Sequence, residues 1–140
     1  MILATHFDNI FGRVYDRIYL LINIMVKYSG VRVVVIENLI INRCINNVEM
    51  RYSYKLTECN FNNVQAYGIA IERMDYKNCI KVNSLVEEVK LISPNKEKVK
   101  NLLYTLYNAE VSPLHLIDII GECVDESVND FKDIECRVMN

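Results

Sequence analysis

The sequence predicts an α+β fold, in which an antiparallel meander of about four strands packs against a C-terminal helical hairpin. Three observations support this class. Segments with β-branched or alternating apolar residues, typical of strands, occupy residues 31–92. Ser-Pro pairs at 93–94 and 112–113 each precede an amphipathic segment, and Pro is favoured in the first turn of a helix. An additional amphipathic helix is predicted over residues 7–25.

The first 30 residues are expected to form a helical extension. Apolar residues recur there at spacings of three and four, which produces one apolar stripe. The stripe consists of Phe7, Ile10, Phe11, Val14, Ile18, Leu21, Ile22 and Met25. Gly30 follows it and suits the left-handed position at the end of a helix. Two interpretations stay open at this point: the helix packs on its own sheet, or it is a detachable element for a partner.

The strands are expected across residues 31–92. Residues 31–41 are rich in Val and Ile, as in a buried strand. Residues 48–57 alternate cleanly, which predicts one buried and one solvated face. The residues expected to face the core are Val48, Met50, Tyr52, Tyr54 and Leu56, and those expected to face water are Glu49, Arg51, Ser53, Lys55 and Thr57. Turns are expected at Asn46-Asn47, 59–63 and 75–78, and further strands at 64–72, 79–82 and 85–92.

Three small residues, Ala66, Gly68 and Ala70, share one face of the third predicted strand. Small residues in a strand allow a helix or another backbone to approach closely.

The C-terminal hairpin comprises predicted helices at 94–108 and 113–129. The residues expected to be buried are Val99, Leu102, Leu103 and Leu106 in the first helix, and Leu116, Ile117, Ile120, Val124 and Val128 in the second. The chain is therefore interpreted as one domain, residues 1–140, with a helical extension at 1–30, a sheet at 31–92 and a hairpin at 93–130.

Composition excludes several classes of protein. The formal net charge is −2, from 16 Lys+Arg and 18 Asp+Glu, whereas domains that bind nucleic acid directly usually have a basic excess. The five cysteines are odd in number and form no Cys-x-x-Cys pair, which favours reduced thiols in a cytoplasmic protein and disfavours structural zinc. The apolar run at 18–26 is shorter than the ~20 residues of a membrane span. Charged residues also interrupt any secretory signal.

Candidate chemical groups are few. His115 and Asp118 could share a helix face as an acid–base pair, or form a weak metal site with Glu122. Glu87 and Glu88 are adjacent on a predicted strand and should point to opposite faces. Tyrosines interleaved with basic residues could stack bases, but the tyrosines are expected on the apolar face and the cations on the other. These residues are Tyr52, Tyr54 and Tyr67 with Arg51, Lys55 and Arg73. We therefore expect no catalytic, cofactor-binding or metal-binding residues.

A surface for a protein partner is expected on the second hairpin helix instead. Residues 94–140 carry five basic and nine acidic side chains, a net of −4. The candidate partner-binding residues are Asp118, Glu122, Asp125 and Glu126. The simpler interpretation is that they form a solvated face.

Four segments resemble a small uncharacterised family of clostridial proteins: Ile92–Val99, Leu102–Tyr104, Val111–Gly121 and, in an earlier strand, Tyr67–Ile69. Members of that family have a Ser-Pro helix followed by a Val-Ser-Pro-(Ile/Leu)-His-Leu helix. The resemblance covers roughly residues 31–130, so the N-terminal helix is an extension. It implies a cytoplasmic protein of a spore-forming anaerobe and supplies no activity or catalytic residue.

These observations lead to a non-enzymatic regulatory or adaptor protein that acts by protein–protein contact. One alternative is an accessory factor that binds and redirects a recombinase or transcription factor, and so meets nucleic acid only indirectly. Another is a small hydrolase or metal-dependent enzyme. The sequence leaves the oligomeric state open.

Overall fold

The computed structural model describes residues 32–61 and 63–139. The predicted N-terminal helix, residues 1–30, lies outside them. Four strands are followed by a helix, a short 3-10 helix and a longer helix. In order these are β1 (Val33–Ile45), β2 (Val48–Phe61), β3 (Val64–Lys77), β4 (Ile80–Ser93), α1 (Lys96–Asn108), the 3-10 helix (Pro113–His115) and α2 (Leu116–Met139). The α+β class is confirmed.

The strands form one antiparallel meander in the order β1-β2-β3-β4. Two-residue turns join β1 to β2 at Asn46-Asn47 and β3 to β4 at Asn78-Cys79. Both residues of each turn have positive φ, between 52° and 64°. Such turns match the twist of paired strands, and Asn tolerates this conformation. The predicted turn at Asn46-Asn47 is confirmed.

Two predicted interruptions of the sheet are wrong. The loop expected at 59–63 is largely strand, because Asn60 pairs with Gln65 and the pairing continues to Phe61 and Val64. The two strands expected at 79–82 and 85–92 are one strand, β4, and the turn expected at 75–78 begins only at Asn78. The physical reason is that ladder hydrogen bonds come from the backbone, so a polar side chain does not by itself end a strand.

One face of the sheet packs against the helices, and we call it the helix-covered face. Tyr54 and Leu56 of β2 lie on it beside Ile69 and Ile71 of β3. α1 and the first turns of α2 complete this core with residues that are all buried: Val99, Leu103, Leu106, Leu116, Ile120 and Val124. The predicted inward stripes of the two helices are confirmed at these positions, while Leu102 is half-buried.

We call the opposite side of the sheet the open face. The prediction that Ser53, Lys55 and Thr57 face water is wrong, because Ser53 and Thr57 are buried and Lys55 is half-buried. They lie on a central strand, between Val35 and Ile40 of β1 and the small residues Gly68 and Ala70 of β3. Alternation along β2 is preserved, but burial on one face does not make the other face solvated.

The predicted first helix starts two residues too early. Asn95, rather than Ser93, caps α1, and its side chain accepts a hydrogen bond from the backbone N–H of Lys98 at 3.3 Å. Ser93 ends β4, and its hydroxyl accepts a bond from the Asn95 N–H at 3.1 Å. Ser112 does occupy the cap position before Pro113, although its side chain makes no capping bond there.

Candidate protein-interaction surface

The 3-10 helix and the first turns of α2 expose several apolar and acidic side chains. Leu116, Ile120 and Val124 anchor this segment in the core. Successive helical residues are 100° apart, so the side opposite these anchors must face outward. Asp118 and Glu122 lie on that side, and Ile117 and Ile119 lie on its two flanks. We define the α2 surface as the exposed residues of this segment: Leu114, His115, Ile117, Asp118, Ile119 and Glu122.

The apolar part of the α2 surface was not predicted as a unit. Leu114 is 70% exposed, Ile117 42% and Ile119 47%. The prediction that Ile117 belongs to the core is wrong, because Leu116 and Ile120 take the inward direction and leave Ile117 at its margin. Leu114 and Ile119 do not belong to the predicted core stripe of this helix. Their absence from that stripe is the one feature of the sequence that could have identified them as exposed apolar residues.

Two of the four acidic residues that were predicted to be exposed partner-binding residues are exposed in the structure. Asp118 and Glu122 are exposed, and neither forms an ion pair with any side chain that the structure describes. They lie four residues apart, so their carboxylates share one side of the helix. The side chains of Asp125 and Glu126 lie outside the described part of the structure.

The structure does not assemble the acid–base pair that the spacing of His115 and Asp118 allowed. His115 ends the 3-10 helix and is exposed, and the described residues contain no hydrogen bond between its ring and Asp118. Within that same part of the chain, no group of three or more His, Cys, Asp or Glu side chains is placed to hold a metal ion. Glu87 and Glu88 pair with Ile71 and Ala70, on opposite faces of the sheet, as expected.

The cysteines lie in contrasting environments. Cys44 and Cys79 are exposed, Cys123 is half-buried and Cys59 is buried, and all four are free thiols. Burial raises the pKa of the Cys59 thiol even though Lys90 opposes this shift. A raised pKa disfavours the thiolate that a nucleophilic cysteine needs. Cys136 lies outside the described side chains.

The arrangement of tyrosines does not form a stacking platform. Tyr54 is fully buried, and its hydroxyl donates to the carbonyl oxygen of Val111 at 2.8 Å. The expectation that the cations lie opposite the tyrosines is wrong for Arg73, whose guanidinium carbon is 5.6 Å from the centre of the Tyr52 ring. These two residues are cross-strand neighbours and therefore share a face.

Arg73 belongs to a polar cluster that the sequence did not suggest. Its guanidinium donates to both carboxylate oxygens of Asp75, at 2.9 and 3.2 Å, and Asn83 donates to one of them at 3.3 Å. The hydrogen bond to Asp75 raises the pKa of Arg73. Because Asp75 is buried and satisfied by these partners, the cluster neutralises a charge within the sheet.

The fold and the α2 surface together define a small α+β domain with an exposed, partly apolar helical face. The chain belongs to a family of unknown function, DUF6514, which matches residues 34–126. The match begins in β1 and ends in α2, so it includes the sheet, α1 and the α2 surface, while the first 33 residues precede it. The resemblance to an uncharacterised family is confirmed at this level, and the clostridial source stays a prediction.

Comparison with curated proteins finds no match, and comparison with solved structures finds none. None of the helices in the described residues is long and apolar enough to cross a membrane.

Proposed function

We propose that this protein is a non-enzymatic regulatory or adaptor protein that binds a protein partner through the α2 surface. The observation that carries the proposal is the combination of three exposed apolar side chains with two exposed carboxylates, which pair with no described side chain, on one short segment. These are Leu114, Ile117, Ile119, Asp118 and Glu122.

The chemistry of the α2 surface indicates what a partner must offer. Apolar groups that are grouped on a surface and rimmed by charge mark interaction sites more often than single exposed apolar residues do. The partner should therefore contribute an apolar patch against Leu114 and Ile117, with Lys or Arg side chains near Asp118 and Glu122. Charge complementarity of this kind selects the partner and accelerates association.

The α2 surface is also well anchored for binding. Leu116 and Ile120 are 0% and 1% exposed directly beneath it, and Pro113 is buried at its start. A segment whose inner side is packed in the core loses little conformational freedom when its outer side binds.

The decisive experiment is capture of partners from an extract of the native host, followed by crosslinking to locate the contact. One variant reverses charge at Asp118→Lys and Glu122→Lys, and a second carries Leu114→Ser and Ile119→Ser. The matched control reverses charge at two exposed residues elsewhere, Glu49→Lys on β2 and Glu97→Lys on α1.

We expect both α2 variants to lose capture, because each removes one component of the surface, while their melting temperatures stay near that of the wild type. Capture by the wild type should weaken as salt rises, since the carboxylates are solvent-exposed. Undiminished capture by both variants, or an equal loss in the control, would refute the proposal. A captured recombinase or transcription factor would identify the DNA-accessory alternative.

A further inference from the structure

The open face of the sheet has a floor of small side chains on its two central strands. Ser53 and Thr57 of β2 lie there beside Gly68 and Ala70 of β3, since Thr57 pairs with Gly68 and Lys55 pairs with Ala70. All four are buried.

The core contacts of α1 and of residues 116–124 are made on the helix-covered face. Phe131 of α2 packs at one end of the open face, against the buried cluster that contains Cys59 and Ala66, and backbone carbonyl groups of β4 close over Gly68. These contacts leave the burial of Ser53 and Ala70, towards the centre of the face, to be explained.

Thr57 provides a second, independent observation. It is only 2% exposed, and its hydroxyl oxygen is inaccessible and has no hydrogen-bond partner among the described residues. A hydroxyl on a face open to solvent would be hydrated, and one in a completed core would be paired. The orphaned hydroxyl therefore indicates that this face is the floor of a contact rather than a surface exposed to water.

Apolar side chains rise along both edges of this floor. Val35 and Ile40 of β1 lie on the open face, opposite Thr57 and Ser53 of β2. Val86 of β4 lies on the same face on the far side. Their exposed fractions are 49%, 40% and 50%. A low centre between apolar edges is the shape that receives a helix whose apolar stripe carries large side chains.

We propose that the N-terminal segment of this chain, residues 7–25, packs as an amphipathic helix on the open face. Its apolar stripe carries large residues such as Phe7, Phe11 and Leu21, which complement the small residues of the floor. The domain then consists of three layers, with the sheet between two helical layers, which is a recurring arrangement in layered domains. This inference is independent of the partner proposed for the α2 surface.

Dimensions and connectivity support this occupant. A helix of residues 7–25 is about 28 Å long. The strands of 13 or 14 residues span about 45 Å and the four-stranded sheet is about 14 Å wide. One helix, about 10 Å in diameter, therefore covers most of the width of the sheet and more than half of its length. The connection at 26–32 reaches about 23 Å before β1 begins at Val33, which allows the segment to fold back over either face. The helix-covered face is occupied, and Phe131 of α2 occupies only the Cys59 and Ala66 end of the open face among the described side chains, so the centre of the open face is the part available.

Tethering favours this segment over an external occupant. A segment joined by a short connection acts at an effective concentration on the order of millimolar, which a second copy or another protein does not match at ordinary concentrations. Most of the stability of an amphipathic helix in a protein comes from tertiary packing of its apolar face, so the segment gains helical order by packing. When docked, it also shields the exposed apolar edge residues of the sheet.

The test uses the full chain with a reporter thiol in the centre of the open face, Ala70→Cys. Its rate of alkylation by N-ethylmaleimide is measured by peptide mass spectrometry, and the naturally exposed Cys44 in the same molecule serves as the internal standard. The reporter is then combined with Ile18→Asp, which places a charge in the apolar stripe. The matched control is Arg17→Asp, which introduces the same side chain at the neighbouring polar position.

We expect the reporter to react at least about tenfold more slowly than Cys44, because its site must open before it reacts. Ile18→Asp should bring the two rates close together, and Arg17→Asp should leave the reporter slow. Circular dichroism and urea melts verify that the sheet stays folded in every variant. If Ala70→Cys unfolds the protein, the alkylation assay is replaced by amide hydrogen exchange of residues 7–25 in Ile18→Asp and Arg17→Asp. Protection of these amides from exchange should then be lost only in Ile18→Asp.

Three results would overturn the proposal. The reporter could react as fast as Cys44 in the full chain, which would show that the face is uncovered. It could stay equally slow in both Asp variants, which would assign the cover to another element. It could become fast on about hundredfold dilution, which would assign the cover to a second copy of the chain.

Discussion

Replacing Tyr54 with Phe tests how the link between α1 and the 3-10 helix is held on the sheet. The buried hydroxyl donates to the carbonyl oxygen of Val111, which lies in that link. The ring itself packs edge-on against Tyr107, with ring centres 5.7 Å apart, and Phe would keep this contact. The substitution therefore removes one hydrogen bond and leaves a carbonyl unpaired, at a cost of about 1 kcal/mol at neutral pH.

The same residue makes stability depend on alkaline pH. Burial, reinforced by Tyr52 and Glu110, raises the pKa of the Tyr54 phenol from 10.0 to about 12. Between these values the unfolded state has released a proton that the folded state retains, so the free energy of unfolding falls as pH rises. The Tyr54 contribution is fully present below pH 10.0 and is lost towards about pH 12. The loss reaches about 1.4 kcal/mol at about pH 11.

The assay is urea unfolding of the wild type and Tyr54→Phe across this pH range. Lysines and the other tyrosines titrate in both proteins, so the difference between the two unfolding free energies isolates Tyr54. The wild type should be more stable by about 1 kcal/mol at neutral pH, and the two proteins should become equal near pH 11. A difference that stays constant with pH would refute the argument that burial holds this phenol neutral.

Two further comparisons use matched pairs of residues. In urea melts, Gly68→Ala should destabilise the protein by about 3 kcal/mol, because the added Cβ would collide with the backbone carbonyl oxygens of Val89 and Lys90. Gly121→Ala in α2 should stabilise it by about 0.5–1 kcal/mol, since no atom lies within 4 Å of the position that its Cβ would take. Asn95→Ala should cost about 1 kcal/mol as a lost helix cap, and Ser112→Ala less than about 0.5 kcal/mol. Equal effects within either pair would contradict the assigned contacts.

The elements with a strong local pattern were predictable from the sequence. Alternation identified β2, although its regular pattern extends past the predicted end at Thr57 to Phe61. Helical spacing identified the inward residues Val99, Leu103 and Leu106 of α1. The small residues of β3 predicted a close approach, and the backbone of β4 does come close at Gly68, where the pairing of β3 and β4 shifts register.

The features set by neighbours were not predictable in this way. The cap of α1 moved to Asn95 because β4 continues to Ser93. Arg73 faces Tyr52 because the register of β2 and β3 places them opposite each other, and a single strand's pattern carries no information on register. Ile117 lies at the margin of the core because Leu116 and Ile120 already fill the inward direction.

The sequence by itself determined the α+β class, with an antiparallel sheet followed by helices, and the exposure of Asp118 and Glu122, because periodicity and charge are local properties of the chain. The tertiary structure alone decided which apolar residues of the C-terminal segment remain outside the core, and that both faces of the central strands are buried at Thr57 and Ser53. The physical reason is that burial depends on what packs against a residue. That neighbour comes from a distant part of the chain, so no local pattern specifies it.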